Sequence, residues 1–284
     1  MVLFGPSGNS ESFYNQGFKH SVQMPGWLRK MDLDAYEYSC TKGVKLKRET
    51  ALELKNEAEK NSIVLSVHSP YYINLATSDE EKRKKSIKYI TDTAAIADAM
   101  GAKRVVVHSG ACSGMPRETA LAFAKKTLTL ALEELKNLGL GHIHICPETM
   151  GKINQLGTLE EVMELCSLDE SLIPTIDFGH LYARTFGGLV TKKDFENIYL
   201  VPCEGLANAI EVNDTVKQEK IVSSIYEEYK DKEIYYSWID SFLDEINEEV
   251  LKLDDGKRTL LYSVKSGRNI WIFAYRKTKT YHSN

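Results

Sequence analysis

Five residues of types that bind divalent metal ions each stand at or just after a short run of β-branched residues. His68 follows IVLSV, His108 follows RVVV, Glu148 closes HIHICPE, and Asp177 closes IPTID with His180 three residues on. The intervals from His68 to His108 to Glu148 to Asp177 are 40, 40 and 29 residues. A single histidine at a strand end is usually a hydrogen-bonded polar residue. Five ligand-type residues on four successive strand ends call for a shared purpose. Neutral imidazoles and carboxylates together make a site for a hard-to-borderline ion, Zn2+ or Mn2+. The chemistry to expect is metal-assisted hydrolysis or isomerisation. Glu148 lies midway in the series and is the best candidate to bridge two ions that stabilise the attacking and leaving oxygens of a phosphodiester, so it is the expected catalytic residue. No Ser-His-Asp or Cys-His nucleophile is evident.

The remaining histidines read differently. Six of the seven lie within residues 1–180. His142 and His144 alternate with Ile143 and Ile145, which predicts mid-strand positions lining a barrel or facing helices rather than ligation. His20 and His282 carry no pattern and are expected at the surface. Cys40 and Cys146 are expected as small core residues.

Such residues converge only if the strands carrying them are parallel and open onto one face. The strand candidates are residues 2–4, 35–38, 63–67, 105–107, 142–146 and 173–176, rich in Val and Ile and ended by Gly, Pro, Ser or Asp. Between them, residues 47–60, 80–100, 117–137 and 158–167 show helical apolar spacing, with glycines 101, 139 and 157 beyond helix ends or in loops. Six βα units in about 200 residues match the pace of a TIM (β/α)8-type barrel, whose active sites form at the C-terminal ends of the strands. An open doubly wound sheet is the alternative, but no GxGxxG follows the first strand. GPSGNS at 5–10 lacks the Lys-Ser/Thr of a phosphate-binding loop.

After residue 200 the rhythm changes. Residues 209–212 are a possible seventh strand, 215–251 read as acidic, tyrosine-rich helices, and 259–277 as two strands around SGRN. We therefore divide the chain into barrel units one to six (1–200) and a C-terminal segment (201–284) that completes or caps the barrel, with strands seven and eight divergent or replaced. A barrel without its last strands exposes sheet edges between strands one and six, which this segment must cover.

Composition sets outer limits. With 284 residues, 43% apolar and 27% charged, the chain reads as an ordinary globular protein. Its net charge of −4 announces no global basic field for nucleic acid, although a local patch is compatible with it. No apolar run is long enough for a membrane span, and the start lacks the pattern of a signal peptide. Five cysteines without CxxC spacing fit a reducing compartment, so a cytoplasmic location is expected.

Taken together, the segments VHSPYYINLA, VVVHSGA, CPETMGK and TIDFGHLYA, with the opening LFGPSGNSESF, resemble the endonuclease IV family over about residues 1–199. The resemblance implies a zinc-dependent TIM barrel that cleaves double-stranded DNA 5′ to abasic sites in base excision repair, after the nucleotide is flipped out. It implies one to three ions. His68, His108 and Glu148 would form a first site, Glu148 and Asp177 would begin a second, and His180 a third. It further implies that Tyr71 and Tyr72 stand in the loop that inserts into DNA, where an aromatic wedge replaces lost stacking. Packing of their own loop is the competing role. The family's later ligands, a strand-seven histidine, an acidic/histidine pair and a strand-eight glutamate, are not recognisable. In IEVND (210–214), Glu211 stands where a histidine is usual and is the candidate to complete the second site. The tail is compatible with a one- or two-metal enzyme, with an inactive DNA-damage-binding protein, or with a reading frame lost near residue 200. A sugar isomerase or epimerase is the other enzyme reading. A monomer is expected.

Overall fold

The β-branched runs become strands, and His68, His108, Glu148 and Asp177 are each the last residue of theirs. The first six strands are β1 (Leu3–Pro6), β2 (Ala35–Ser39), β3 (Val64–His68), β4 (Arg104–His108), β5 (His144–Glu148) and β6 (Thr175–Asp177). This computed structural model describes residues 3–191, 193–195 and 198, together with the backbone of 261–265 and 270–274. The last two segments are β7 (Leu261–Lys265) and β8 (Ile270–Ala274). Helices α1 (Glu11–Asn15) and α2 (Met24–Arg29) lie between β1 and β2. Then α3 (Arg48–Lys60), α4 (Glu80–Ala99), α5 (Arg117–Asn137), α6 (Leu159–Cys166) and α7 (Phe178–Arg184) each follow a strand.

The sheet runs β1-β8-β7-β6-β5-β4-β3-β2. From β2 to β7 every neighbouring pair is parallel, and β8 is antiparallel to both β7 and β1. Strands seven and eight are thus a divergent hairpin flanking SGRN, and they fill the gap between β6 and β1. The two ends of the sheet meet where Ser7 bridges Glu37 in parallel register. There the Asp34 amide donates to the Phe4 carbonyl at 2.7 Å and the Gly8 amide to the Glu37 carbonyl at 2.9 Å. Gly5 permits this seam: a Cβ there would sit 1.7 Å from the Ala35 carbonyl oxygen. The ring of strands is therefore a TIM barrel in plan, with one antiparallel member.

Strand alternation sorts the side chains. Val105, Val107, Ile143 and Ile145 join the core shared with the helices, where Ile90 and Leu128 are fully buried. Val106, Cys146 and Ile173 form a separate apolar cluster on the other face of the strands, inside the ring. Small residues such as Ala94, Ala97, Ala124 and Ala131 on α4 and α5 are buried and let these helices approach closely. Capping fixes the helix starts: the Asp79 carboxylate accepts from the Glu81 and Lys82 amides, and Thr158 with Glu161 forms a capping box on α6.

Two expectations are corrected here. β5 begins at His144 rather than 142, because the Ile143 amide still closes a turn on the Leu140 carbonyl. His142 is therefore not a mid-strand residue; it is exposed and pairs with Asp98 at 2.9 Å. His144 starts the strand, half-buried, with Nδ1 on the Ser171 carbonyl at 2.9 Å. Both lie at the end of β5 opposite Glu148. Strand 209–212, the helices of 215–251, Glu211 and His282 lie outside the described residues.

Candidate metal centre

Parallel register brings the ligand candidates to one level. His108 is paired with Glu148 across β4 and β5, and His68 with Ser39 across β3 and β2. Glu148 is almost fully buried and serves both sides. Its Oε2 lies 3.3 Å from His68 Nε2 and 3.4 Å from His108 Nε2, and its Oε1 lies 3.6 Å from His180 Nδ1. Two groups able to hold an ion result, His68–His108–Glu148 and Glu148–Asp177–His180, with the ligand atoms of each within 4.8 Å of one another. All five residues singled out in the first 180 positions are thus brought together.

The supports of these side chains come from neighbouring backbone. His68 Nδ1 donates to the Ser69 carbonyl at 2.8 Å, which leaves Nε2, 3.3 Å from Glu148 Oε2, as the nitrogen that can be exchanged from a proton to an ion. Asp177 ends β6 and caps α7, accepting the His180 amide through Oδ1 at 2.8 Å. One short turn therefore carries two ligand candidates. His180 Nδ1 also lies 2.8 Å from the Thr149 carbonyl. The same nitrogen stands 3.4 Å from Asp177 Oδ2, so it is the His180 atom turned toward the second ligand group.

The electrostatics favour an ionised carboxylate among imidazoles. Burial alone would raise the Glu148 pKa, but the hydrogen bond and charge of His68 outweigh it and hold the carboxyl down to about 2. Burial opposes a charge on His68 too, and Glu148 more than compensates, so its pKa rises to about 9. Burial pushes His108 down to about 4, against the pull of Glu148. Without metal, Glu148 therefore favours the charged form of His68, while burial favours the neutral, ligating form of His108.

Sequence reasoning missed Glu37. It is buried on β2 inside the ring, with Oε1 accepting from the Ser7 hydroxyl at 2.5 Å and Oε2 without a hydrogen-bond partner among the described residues. Burial raises its pKa to about 7. The signal was present: a lone acidic residue centred in the otherwise strand-like run AYEYS.

Tyr71 and Tyr72 are 56% and 57% exposed. Tyr71 stacks on His108 with ring centroids 5.4 Å apart and meets His68 edge-on at 5.9 Å, whereas Tyr72 leans on Tyr89. The Tyr71 amide reaches the Thr41 carbonyl at 3.4 Å, and from there the loop to α3 carries exposed Lys42, Lys45 and Lys47, with exposed Arg48 opening the helix. A cavity of about 550 Å³ opens from the ligand cluster toward the β1–α1 loop. Its far wall is uncharged: Asn9 joins the Tyr14, Ser21 and Tyr36 hydroxyls through hydrogen bonds. His20 is exposed. Cys40 and Cys146 are buried free thiols pushed up to about 12 by burial, as core residues should be.

The sequence pattern of the xylose isomerase-like TIM barrel family matches residues 25–251. An uncharacterized protein of Methanocaldococcus jannaschii is 35% identical over 201 residues, covering 71% of this chain and 69% of its own. A protein named "Probable endonuclease 4" from Sulfurihydrogenibium is 30% identical over 65% of this chain and 61% of its own. The resemblance to endonuclease IV read from the motifs is thereby borne out. Among solved structures, endonuclease IV of Thermus thermophilus superposes with a TM-score of 0.52 at 20% identity, covering 66% of this chain and 68% of that one. The 3-keto-D-glucoside 4-epimerase of E. coli superposes at 0.56 with 13% identity, covering 72% and 76%. Both likenesses are of fold.

Proposed function

Because the chain belongs to the xylose isomerase-like TIM barrel family, we propose that it is a metal-dependent endonuclease cleaving the DNA backbone 5′ to abasic sites, with Zn2+ as its ion and Mn2+ as a substitute. The observation that carries this reading is the pair of ligand groups sharing Glu148, with the exposed Tyr71-Tyr72 pair at its edge. The donor set fits the ion: imidazole nitrogens and carboxylate oxygens, buried, with His68 held in the ligating tautomer by the Ser69 carbonyl. His68, His108 and Glu148 would hold one ion, and Glu148 and Asp177 would begin a second, for which Glu211 is the candidate from sequence to complete the set. His180 would serve a third or the second. Bound ions would supply Lewis-acid stabilisation to a phosphodiester and lower the pKa of water.

The chain's own residues do the rest. Glu148 remains ionised in its buried setting and fixes the separation of the two groups. Tyr71 offers a face on which a base stacks once a nucleotide has left the helix, and Tyr72 widens that platform. Lys42, Lys45, Lys47 and Arg48 neutralise backbone phosphates beside it.

A second reading, a sugar isomerase or epimerase, is favoured by one feature: the uncharged, hydroxyl-lined wall of the cavity around Asn9 suits a polyol as well as a deoxyribose. A duplex with a single abasic site separates the two. We expect incision 5′ to the site, lost on chelation and in Glu148→Gln. Turnover of ketoses without incision overturns the proposal in favour of the isomerase. Tight abasic-site binding without incision overturns it in favour of a damage-binding protein.

A further inference from the structure

We infer that Arg184, at the far end of α7, is a positioning residue that sets the orientation of His180 and thereby the ion held on the Asp177–His180 side of the centre. The inference rests on the metal-binding reading of the site. Arg184 lies in the last turn of α7, four residues after His180. Its Nη1 donates to the Met150 and Lys152 carbonyls, both at 2.9 Å, and its Nη2 to the Gln155 carbonyl at 3.2 Å. All three carbonyls belong to the loop that leaves β5 just after Glu148. The residue preceding them, Thr149, is the one whose carbonyl takes His180 Nδ1 at 2.8 Å.

The loop and the helix touch nowhere by accident. A Cβ at Gly151 would lie 3.3 Å from His180 Cδ2 and 3.5 Å from the Ala183 Cβ, so the loop rests directly on the ligand turn of α7. From the other side Arg117 donates to the Ile153 and Gln155 carbonyls while paired with Glu161, which closes the loop onto α5 and α6. Arg184 is the guanidinium that ties this loop to α7. Three carbonyls pointing at one planar donor group match arginine's fork and not a lysine's single ammonium. By contrast His68, His108 and Glu148 are strand residues held by the sheet ladder. The two sides of the centre therefore have different supports, and only one depends on Arg184.

The test is a titration of the metal-free full-length chain with Co2+, followed by the visible absorption of the bound ion. Alongside it, imidazole 15N spectra of the metal-free chain report the His180 tautomer. Wild type is expected to take up at least two ions and to show His180 protonated at Nδ1. Arg184→Gln is expected to keep the first ion and to bind the next roughly 10- to 100-fold more weakly, the usual effect of removing a support behind a ligand. Its His180 signals should move toward tautomer averaging. Arg184→Lys should recover part of both effects, and it serves as the test if Arg184→Gln does not fold. Equal weakening of both ions would mean a general structural role and overturn the inference, as would an unchanged second ion. A wild-type chain that binds one ion overturns it while leaving the hydrolytic reading intact. A chain that binds none overturns both.

Discussion

Glu148 touches both ligand groups, so no substitution there has a local effect. Glu148→Gln keeps the shape and removes the charge that His68, His108 and His180 share. We expect incision to fall by roughly 1,000-fold or more and metal content to drop in the same preparation, checked by elemental analysis beside the assay. Tyr71→Ala should act otherwise: it leaves the ligands in place but removes a stacking face of about 1–3 kcal/mol. Binding to an abasic duplex should weaken by about tenfold or more in a fluorescence titration, with metal content unchanged. Glu37 gives a pH signature. Its carboxyl is raised from 4.5 to about 7, so the folded metal-free chain holds a proton that the unfolded chain releases. Stability is then greatest below pH 4.5 as far as this group is concerned and declines as pH rises to about 7, by about 3 kcal/mol in all. Glu37→Gln removes that slope, so melts of the metal-free variant should gain on wild type at pH 8 and match it near pH 5. Ligand candidates were legible from sequence because a polar residue ending a β-branched run is conspicuous. Glu37 was not read because its importance comes from the ring closing over it, through Ser7 some 30 residues away.

At the scale of elements, length decided what could be read. Helices α3 to α6 span eight or more residues and their apolar spacing places them within a residue or two. The short helices α1, α2 and α7 carry too few turns to show a period, and each is fixed by a local device instead. Ser10 caps α1, Pro25 opens α2 and Asp177 caps α7. His142 was misplaced because its alternation with Ile143 and Ile145 mimics a strand, whereas the turn closed on Leu140 delays β5 by two residues. Ring closure makes its own prediction. Gly5→Ala drives a Cβ into the Ala35 carbonyl at the β1–β2 seam. It should cost more than about 3 kcal/mol in denaturant unfolding, or abolish soluble yield. Gly43→Ala, at φ +103° but with open space around it, should cost only about 1–2 kcal/mol.

For the whole molecule, a barrel of mostly parallel strands turns distant sequence positions into one mouth, and the solved nuclease and sugar-epimerase structures are similar to this chain in that fold. The fold therefore cannot choose between them; side chains at the rim must. The chain's net charge is −4, yet Lys42, Lys45, Lys47 and Arg48 concentrate positive charge in the segment that leaves the Thr41–Tyr71 contact. A DNA-binding edge on an acidic protein should show as incision that weakens steeply with salt, whereas turnover of an uncharged sugar would not. The antiparallel β7–β8 hairpin was legible as a hairpin from SGRN and its flanks, but its place between β6 and β1 was not, since sequence shows turns and not partners. Beneath both functional readings stands one claim, that the strand ends form a metal centre around Glu148. Metal content of the purified chain tests it most directly. The account predicts at least one tightly held Zn2+ per chain, lost in Glu148→Gln. A wild-type chain that purifies free of metal and remains so after incubation with zinc contradicts it.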